Sequence, residues 1–143
     1  MPPAVDLFLG EFDGIPHAVE ARLAALEAFV EELRGRRLAV KDGERIVLLD
    51  RNAIDWIESA GNYVVLHSGG KTHVMRETLE HLREELGARF VRVRRDALVN
   101  TAAVRELHPL FRGEFRLALR DGSHVQSTRR FRSEVDALLG RVR

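Results

Sequence analysis

Apolar residues change their period along this chain. Val19, Leu23, Leu26, Val30 and Leu33 recur at alternating spacings of four and three, the seam of a coiled-coil helix. The spacing predicts a helix over 17–37, with Pro16 in the first turn and Gly35 near its end, where helices commonly stop. After Arg37 the period falls to strand-like runs. Leu38-Ala39-Val40 and Ile46-Val47-Leu48-Leu49 flank Asp42-Gly43, a dipeptide that tolerates the positive φ of hairpin turns. Runs at 54–58 and 63–67 follow, and Gly69-Gly70 turns the chain into a further strand over 72–75. Leu79, Leu82 and Leu86 then mark one short internal helix that Gly87 ends. Strands are expected again at 90–93, 104–107, 115–119 and, beyond Asp121-Gly122, 123–127, with a short helix over 131–139. The reading is a mainly β chain of short antiparallel strands preceded by an N-terminal α-helix, divided into 1–37 and 38–143.

Just over two heptads make a helix that is marginal alone in water, so its stripe needs a cover. It either packs back on its own domain, or serves as a dimerisation helix or the linker from an upstream sensory domain.

Composition narrows the classes. With 143 residues, 45% hydrophobic and 31% charged, the chain can bury a core and is not disordered by composition. It has no cysteine, which excludes disulfides, thiolate metal sites and a thiol nucleophile. No apolar run approaches the ~20 residues of a membrane span, and the N-terminus lacks a signal-peptide pattern. A soluble, cytoplasmic protein without a membrane partner is expected. The net charge of +1 conceals an asymmetry. Residues 1–37 carry four Arg against seven acidic groups, whereas 38–143 carry nineteen Lys or Arg against fifteen. Arg89, Arg92, Arg94 and Arg95 form one cluster and Arg129, Arg130 and Arg132 another. Clustered Arg suits a polyanion, because each neutralised phosphate releases counterions.

Catalytic patterns are missing. His67 and His73 flank Gly69-Gly70, but a two-residue loop pairs His67 with Thr72 and sets His73 against Leu66. No metal-ligand spacing, nucleophile elbow or phosphate loop occurs. Glu77, Glu80, Glu84 and Glu85 read as the polar face of the short helix. Neither an enzyme, a metal site nor a cofactor is expected.

Three stretches, in order across roughly 38–140, together resemble the LytTR family of bacterial DNA-binding domains. Ile57-Glu58-Ser59-Ala60-Gly61-Asn62-Tyr63-Val64-Val65-Leu66-His67 is similar to the family's IEA-x-x-NYV-x-LH. Met75-Arg76-Glu77-Thr78-Leu79 through Phe90-Val91-Arg92-Val93-Arg94-Arg95-Asp96-Ala97-Leu98-Val99-Asn100 is similar to its R-x-x-L helix and F-x-R-x-HRS-x-LVN. Asp121-Gly122 through Ser127-Thr128-Arg129-Arg130-Phe131 is similar to DG…V-SRR-Y. The resemblance implies an elongated stack of short antiparallel sheets whose loops enter successive major grooves. Carried over by residue, it implies base contacts from Asn62, Tyr63, Arg95 and Arg129, with Arg94, Thr128 and Arg130 facing phosphates. Arg can bond guanine and Asn adenine in bidentate fashion, while phosphate contacts fix register without reading sequence.

Plainer roles compete at several positions. Asn62 can fill a turn that needs unusual φ/ψ, Tyr63 can pack under its loop, and Arg76 can brace the helix against a carboxylate. Asn100 reads as structural, satisfying loop backbone. Asp96 stands where the family has a hydroxyl, so it either orients Arg95 or accepts from a cytosine amino group. The leading expectation is therefore sequence-specific double-stranded DNA binding at repeated sites in transcriptional control. A protein-interaction and dimerisation module is the alternative, and single-stranded RNA binding is weaker because few aromatics fall at exposed positions. Family members often carry a receiver domain. Residues 1–37 are too few for one, although Gly10-Glu11-Phe12-Asp13 is similar to a receiver's end. An upstream sensory or receiver domain is thus a candidate partner, and a homodimer through the helix another.

Overall fold

The computed structural model describes residues 17–140, apart from the side chains of 31–35. Pro16, residues 10–13 and the Leu33 side chain lie outside the described residues.

Two units divide at Arg37/Leu38. The first contributes α1, His17–Gly35. Ala at positions 18, 21, 24, 25 and 28 favours this helix. Along α1, Leu26, Phe29 and Val30 are exposed.

In the second unit ten strands form three antiparallel sheets. β1 (Arg37–Asp42) and β2 (Arg45–Asp50) make a hairpin. β3 (Trp56–Ala60), β4 (Tyr63–Ser68), β5 (Lys71–Met75), β6 (Phe90–Arg94) and β7 (Ala97–Asn100) form a five-stranded sheet in the order β5-β4-β3-β7-β6. β8 (Val104–Pro109), β9 (Phe115–Leu119) and β10 (His124–Gln126) form the third, in the order β10-β9-β8. Two short α-helices accompany them, one between β5 and β6 and one after β10. α2 (Leu79–Leu86) starts at the Thr78 cap, whose hydroxyl accepts from His81 N, and ends at Gly87 with φ 80°. α3 spans Arg132–Leu139.

The five-stranded sheet is the middle layer. On one side Leu38, Val40, Ile57, Leu66, Leu98 and the three leucines of α2 form a core. On the other, Ala97, Val99, Phe115, Leu117, Val125 and Val135 form a second. β7 therefore faces both cores, and all four of its residues are buried. That explains why no strand is expected there from the pattern: a short strand covered on both faces shows no alternation. The predicted β4–β5 register is present, with His67 opposite Thr72 and His73 opposite Leu66.

Three buried polar groups hold the layers in place. Asn100 donates Nδ2 to Ile54 O at 2.9 Å and to Asn52 O at 3.3 Å, while its Oδ1 accepts from Ala102 N. This is the structural role expected of it. Asp55, 1% exposed, accepts from Arg120 Nε at 2.5 Å and from Gly69 N at 2.9 Å, so an ion pair joins the third sheet to the middle one. Ser127 Oγ accepts from Phe115 N and ties the end of β10 to β9.

Candidate nucleic-acid interface

The hairpin β3–β4 closes through Gly61 and Asn62, with Ala60 opposite Tyr63. Gly61 takes φ 64°, the pattern of a turn that asks for positive φ at its first central residue. Asn62 has no positive φ. The unusual backbone considered for Asn62 therefore falls to its neighbour, and the amide stands exposed at the loop tip. Tyr63 does not pack under the loop either; it is 47% exposed.

The second loop is the Arg95-Asp96 turn between β6 and β7. A register shift between Arg92 and Arg94 precedes it, and Arg94 lies opposite Ala97. Because β7 runs antiparallel to β3, this turn emerges at the same sheet end as Gly61-Asn62, and Ser59 N donates to Asp96 O at 2.9 Å. Arg92 braces the turn from beneath: its Nε donates to Arg95 O at 3.1 Å, its Nη2 to the same oxygen, and its Nη1 to Glu80 at 2.9 Å. The Arg95 guanidinium is exposed and bonds to no described residue.

Asp96 does not orient Arg95. Its carboxylate accepts from Arg94 Nε at 2.8 Å, because a side chain two positions away on the curved turn reaches it directly. Arg94 also donates to Gln126 O at 3.5 Å and lies 3.9 Å from Glu58. It is thus engaged within the protein rather than open to an anion.

The third loop, 127–131, hangs from β6 through Thr128 N to Val93 O at 3.0 Å, and Phe131 N closes back onto Thr128 O. Thr128, Arg129 and Arg130 are exposed. The guanidinium carbons of Arg92 and Arg130 lie 5.8 and 5.6 Å from the Phe131 ring centre, within cation–π range. Phe131 links the second and third loops in this way, a role not read from the sequence.

Between the first loop, the approach to α2 and the second loop lies an open cleft of about 860 Å³, lined in part by Asn62, Arg76, Glu77, Arg92 and Arg95. Asn62 and Arg95, distant in sequence, share it. Arg76 makes no ion pair with a described residue, so the brace considered for it is not formed. Glu77 instead pairs with His81 at 2.8 Å. The Thr78 N–H and the His81 ring hold the Glu77 carboxyl below its usual pKa, and Glu77 in turn raises that of His81.

The histidines have local explanations. The His67 ring stacks on Trp56 with centres 4.1 Å apart, and its Nε2 meets Glu58 at 2.9 Å. Among the described residues no group of three or more His, Cys, Asp or Glu could hold a metal, and no helix is long and apolar enough to cross a membrane.

A packed β body that offers arginine, amide and hydroxyl groups from three neighbouring loops falls in the class of β-scaffold nucleic-acid-binding domains. Known proteins narrow the class. Residues 44–140 match the LytTr DNA-binding domain. The chain is 29% identical over 104 residues to the sensory transduction protein LytT of Bacillus subtilis, covering 72% of this chain and 43% of that protein. It is 30% identical over 104 residues to the LytT of Bacillus anthracis, covering 72% and 42%. The solved LytTr DNA-binding domain of a Bacillus cereus response regulator superposes with a TM-score of 0.67 at 18% identity, covering 74% of this chain and 98% of that one. The chain belongs to the LytTr DNA-binding domain family. It spans less than half the length of the LytT proteins it matches.

Proposed function

We propose that this domain binds double-stranded DNA sequence-specifically through its three loops and acts as the reading head of a longer bacterial transcriptional regulator. Asn62, Tyr63, Arg95 and Arg129 face bases in the major groove, and Thr128 and Arg130 face phosphates. Arg94 supports the second loop through Asp96 instead of meeting a phosphate. The observation that carries the reading is the convergence of Asn62 and Arg95 on one cleft, with the third loop hung from the strand beneath Arg95. Their donor groups are exposed on turns that a buried sheet fixes, so the backbone needs little further ordering when they meet base edges.

Binding at repeated sites calls for two domains side by side. Here α1, with its exposed apolar stripe, supports self-association, and the greater length of the LytT relatives leaves room for a sensory or receiver domain upstream. Selection from a random duplex library at roughly physiological salt, followed by sequencing, tests the reading. The expected result is a motif of two similar half-sites about one helical turn apart. Failure of the folded protein to enrich any sequence overturns it.

A further inference from the structure

We infer that α1 pairs with α1 of a second copy as a parallel, two-stranded coiled coil whose direction is set by Arg22 and Glu27; the inference rests on the self-association reading above. On the seam, Leu23 and Val30 occupy a positions and Val19, Leu26 and Leu33 occupy d positions. The flanks then follow: Arg22 and Phe29 fall at g, and Glu20, Glu27 and Arg34 at e.

Among the described residues the middle of this helix's apolar side is open, whereas Val19 and Leu23 nearer its start are partly buried. Leu26 is 60% exposed, Phe29 54% and Val30 41%, so three consecutive members of the seam and its flank lie in water. Most helical stability in proteins comes from packing an apolar face rather than from propensity, and an exposed apolar stripe of this kind marks an interaction surface. The choice of occupant comes from the flanking charges. In a parallel pair a g residue reaches the e residue five positions further along the partner. Arg22 then meets the partner's Glu27, and two-fold symmetry repeats the contact. In an antiparallel pair e faces e, and the register that sets Glu20 against position 34 of the partner also brings Glu27 against the partner's Glu27, a repulsion that the parallel pair does not have. Both Arg22 and Glu27 are exposed and available for such contacts. In the second half of the seam, leucine at d with β-branched Val30 at a is the pattern of two parallel strands, and Phe29 at g extends the apolar cover beyond the narrow seam. The partner that fits is a second copy of this chain.

The chain has no cysteine, so a single introduced thiol reports direction without background. In Val19→Cys, a d position near the helix start, a parallel pair sets the two thiols together and oxidation links them. An antiparallel pair sets them at opposite ends of a helix ~28 Å long, and no link forms. Light scattering on the whole chain gives the mass independently. Arg22→Glu should weaken the dimer by about 5- to 10-fold through loss of two pairs and gain of two repulsions, and Arg22→Glu with Glu27→Arg should restore it. A dimer that Val19→Cys does not cross-link, or that charge reversal leaves unchanged, overturns the parallel coil while self-association stands. A monomer at every concentration up to ~0.5 mM, well above the ~micromolar range of a specific dimer, overturns both, and neither result touches the loop-reading proposal.

Discussion

Replacing Arg95 with alanine separates reading from mere attachment. The Arg95 guanidinium is exposed and bonds to no described residue; only its backbone carbonyl is used, by Arg92. Removing the side chain should therefore change stability by no more than roughly 0.5 kcal/mol, as for an ordinary surface position. If the guanidinium meets a guanine edge, the lost discrimination is about 1–3 kcal/mol, or roughly 5- to 150-fold in Kd on the selected duplex. On a scrambled duplex the loss should be several-fold smaller, and the slope of log K against log salt should hardly change. Arg130→Ala supplies the contrast. As a phosphate contact, it should weaken both duplexes alike and shallow the slope by about 0.9. Fluorescence anisotropy titrations at four or five salt concentrations on both duplexes measure all of these quantities. Equal loss on the two duplexes for Arg95→Ala, with a shallower slope, would refute the base-reading role and make it a phosphate contact.

Two further outcomes concern the scaffold. Arg120→Met strands the Asp55 carboxylate, which is 1% exposed and keeps only the Gly69 N–H of its two partners; a cost of ~2–4 kcal/mol lowers Tm by roughly 10–20 °C, and adding Asp55→Asn should recover part of it. Arg112 holds φ 64° at the β8–β9 turn, so Arg112→Gly should gain about 0.5–1 kcal/mol, the left-handed penalty less the entropy glycine adds to the unfolded chain; a calorimetric Tm that stays or falls would count against strain there.

Much of the fold was legible in the sequence because local signals and tertiary packing agree. The Leu79, Leu82 and Leu86 spacing with Gly87 after it gives α2 within its observed bounds, since Thr78 caps one end and a positive-φ glycine the other. The Gly69-Gly70 turn sets the β4–β5 register. Where the pattern failed, tertiary context had removed it. β7 lies between two cores and carries no alternation. The loops were located by resemblance, but the partners of their side chains were not. Arg94 and Asp96 are near in sequence, and so are Arg95 and Asp96; only the curvature of the bulged turn decides that Arg94 takes the carboxylate. Phe131 and Arg92 became part of the site only when folding brought 127–131 against β6.

The arginine clusters divide into two kinds, and the division explains why clustering alone was an ambiguous signal. Arg92 and Arg94 have side chains only 18% and 27% exposed, and each spends its donors on carbonyls or carboxylates of the protein. Arg95 is exposed on the turn that those braces hold, and Arg129 and Arg130 are exposed on the third loop, which backbone bonds of Thr128 and Phe131 hold. A charge already paired at short range adds little to the field a phosphate meets, so the count of basic residues overstates the number available for DNA. The salt dependence of binding should follow the exposed set and not the cluster total. Conversely, loss of a brace should displace its neighbour: with Arg92 gone, the Arg95 carbonyl loses both of its guanidinium donors, and the turn is free to leave the geometry that aims Arg95 into the cleft. On the proposed reading, the second loop works through a pair of arginines, Arg92 fixed and Arg95 free, so that Arg92→Ala should weaken binding to the selected duplex although its own side chain meets no base.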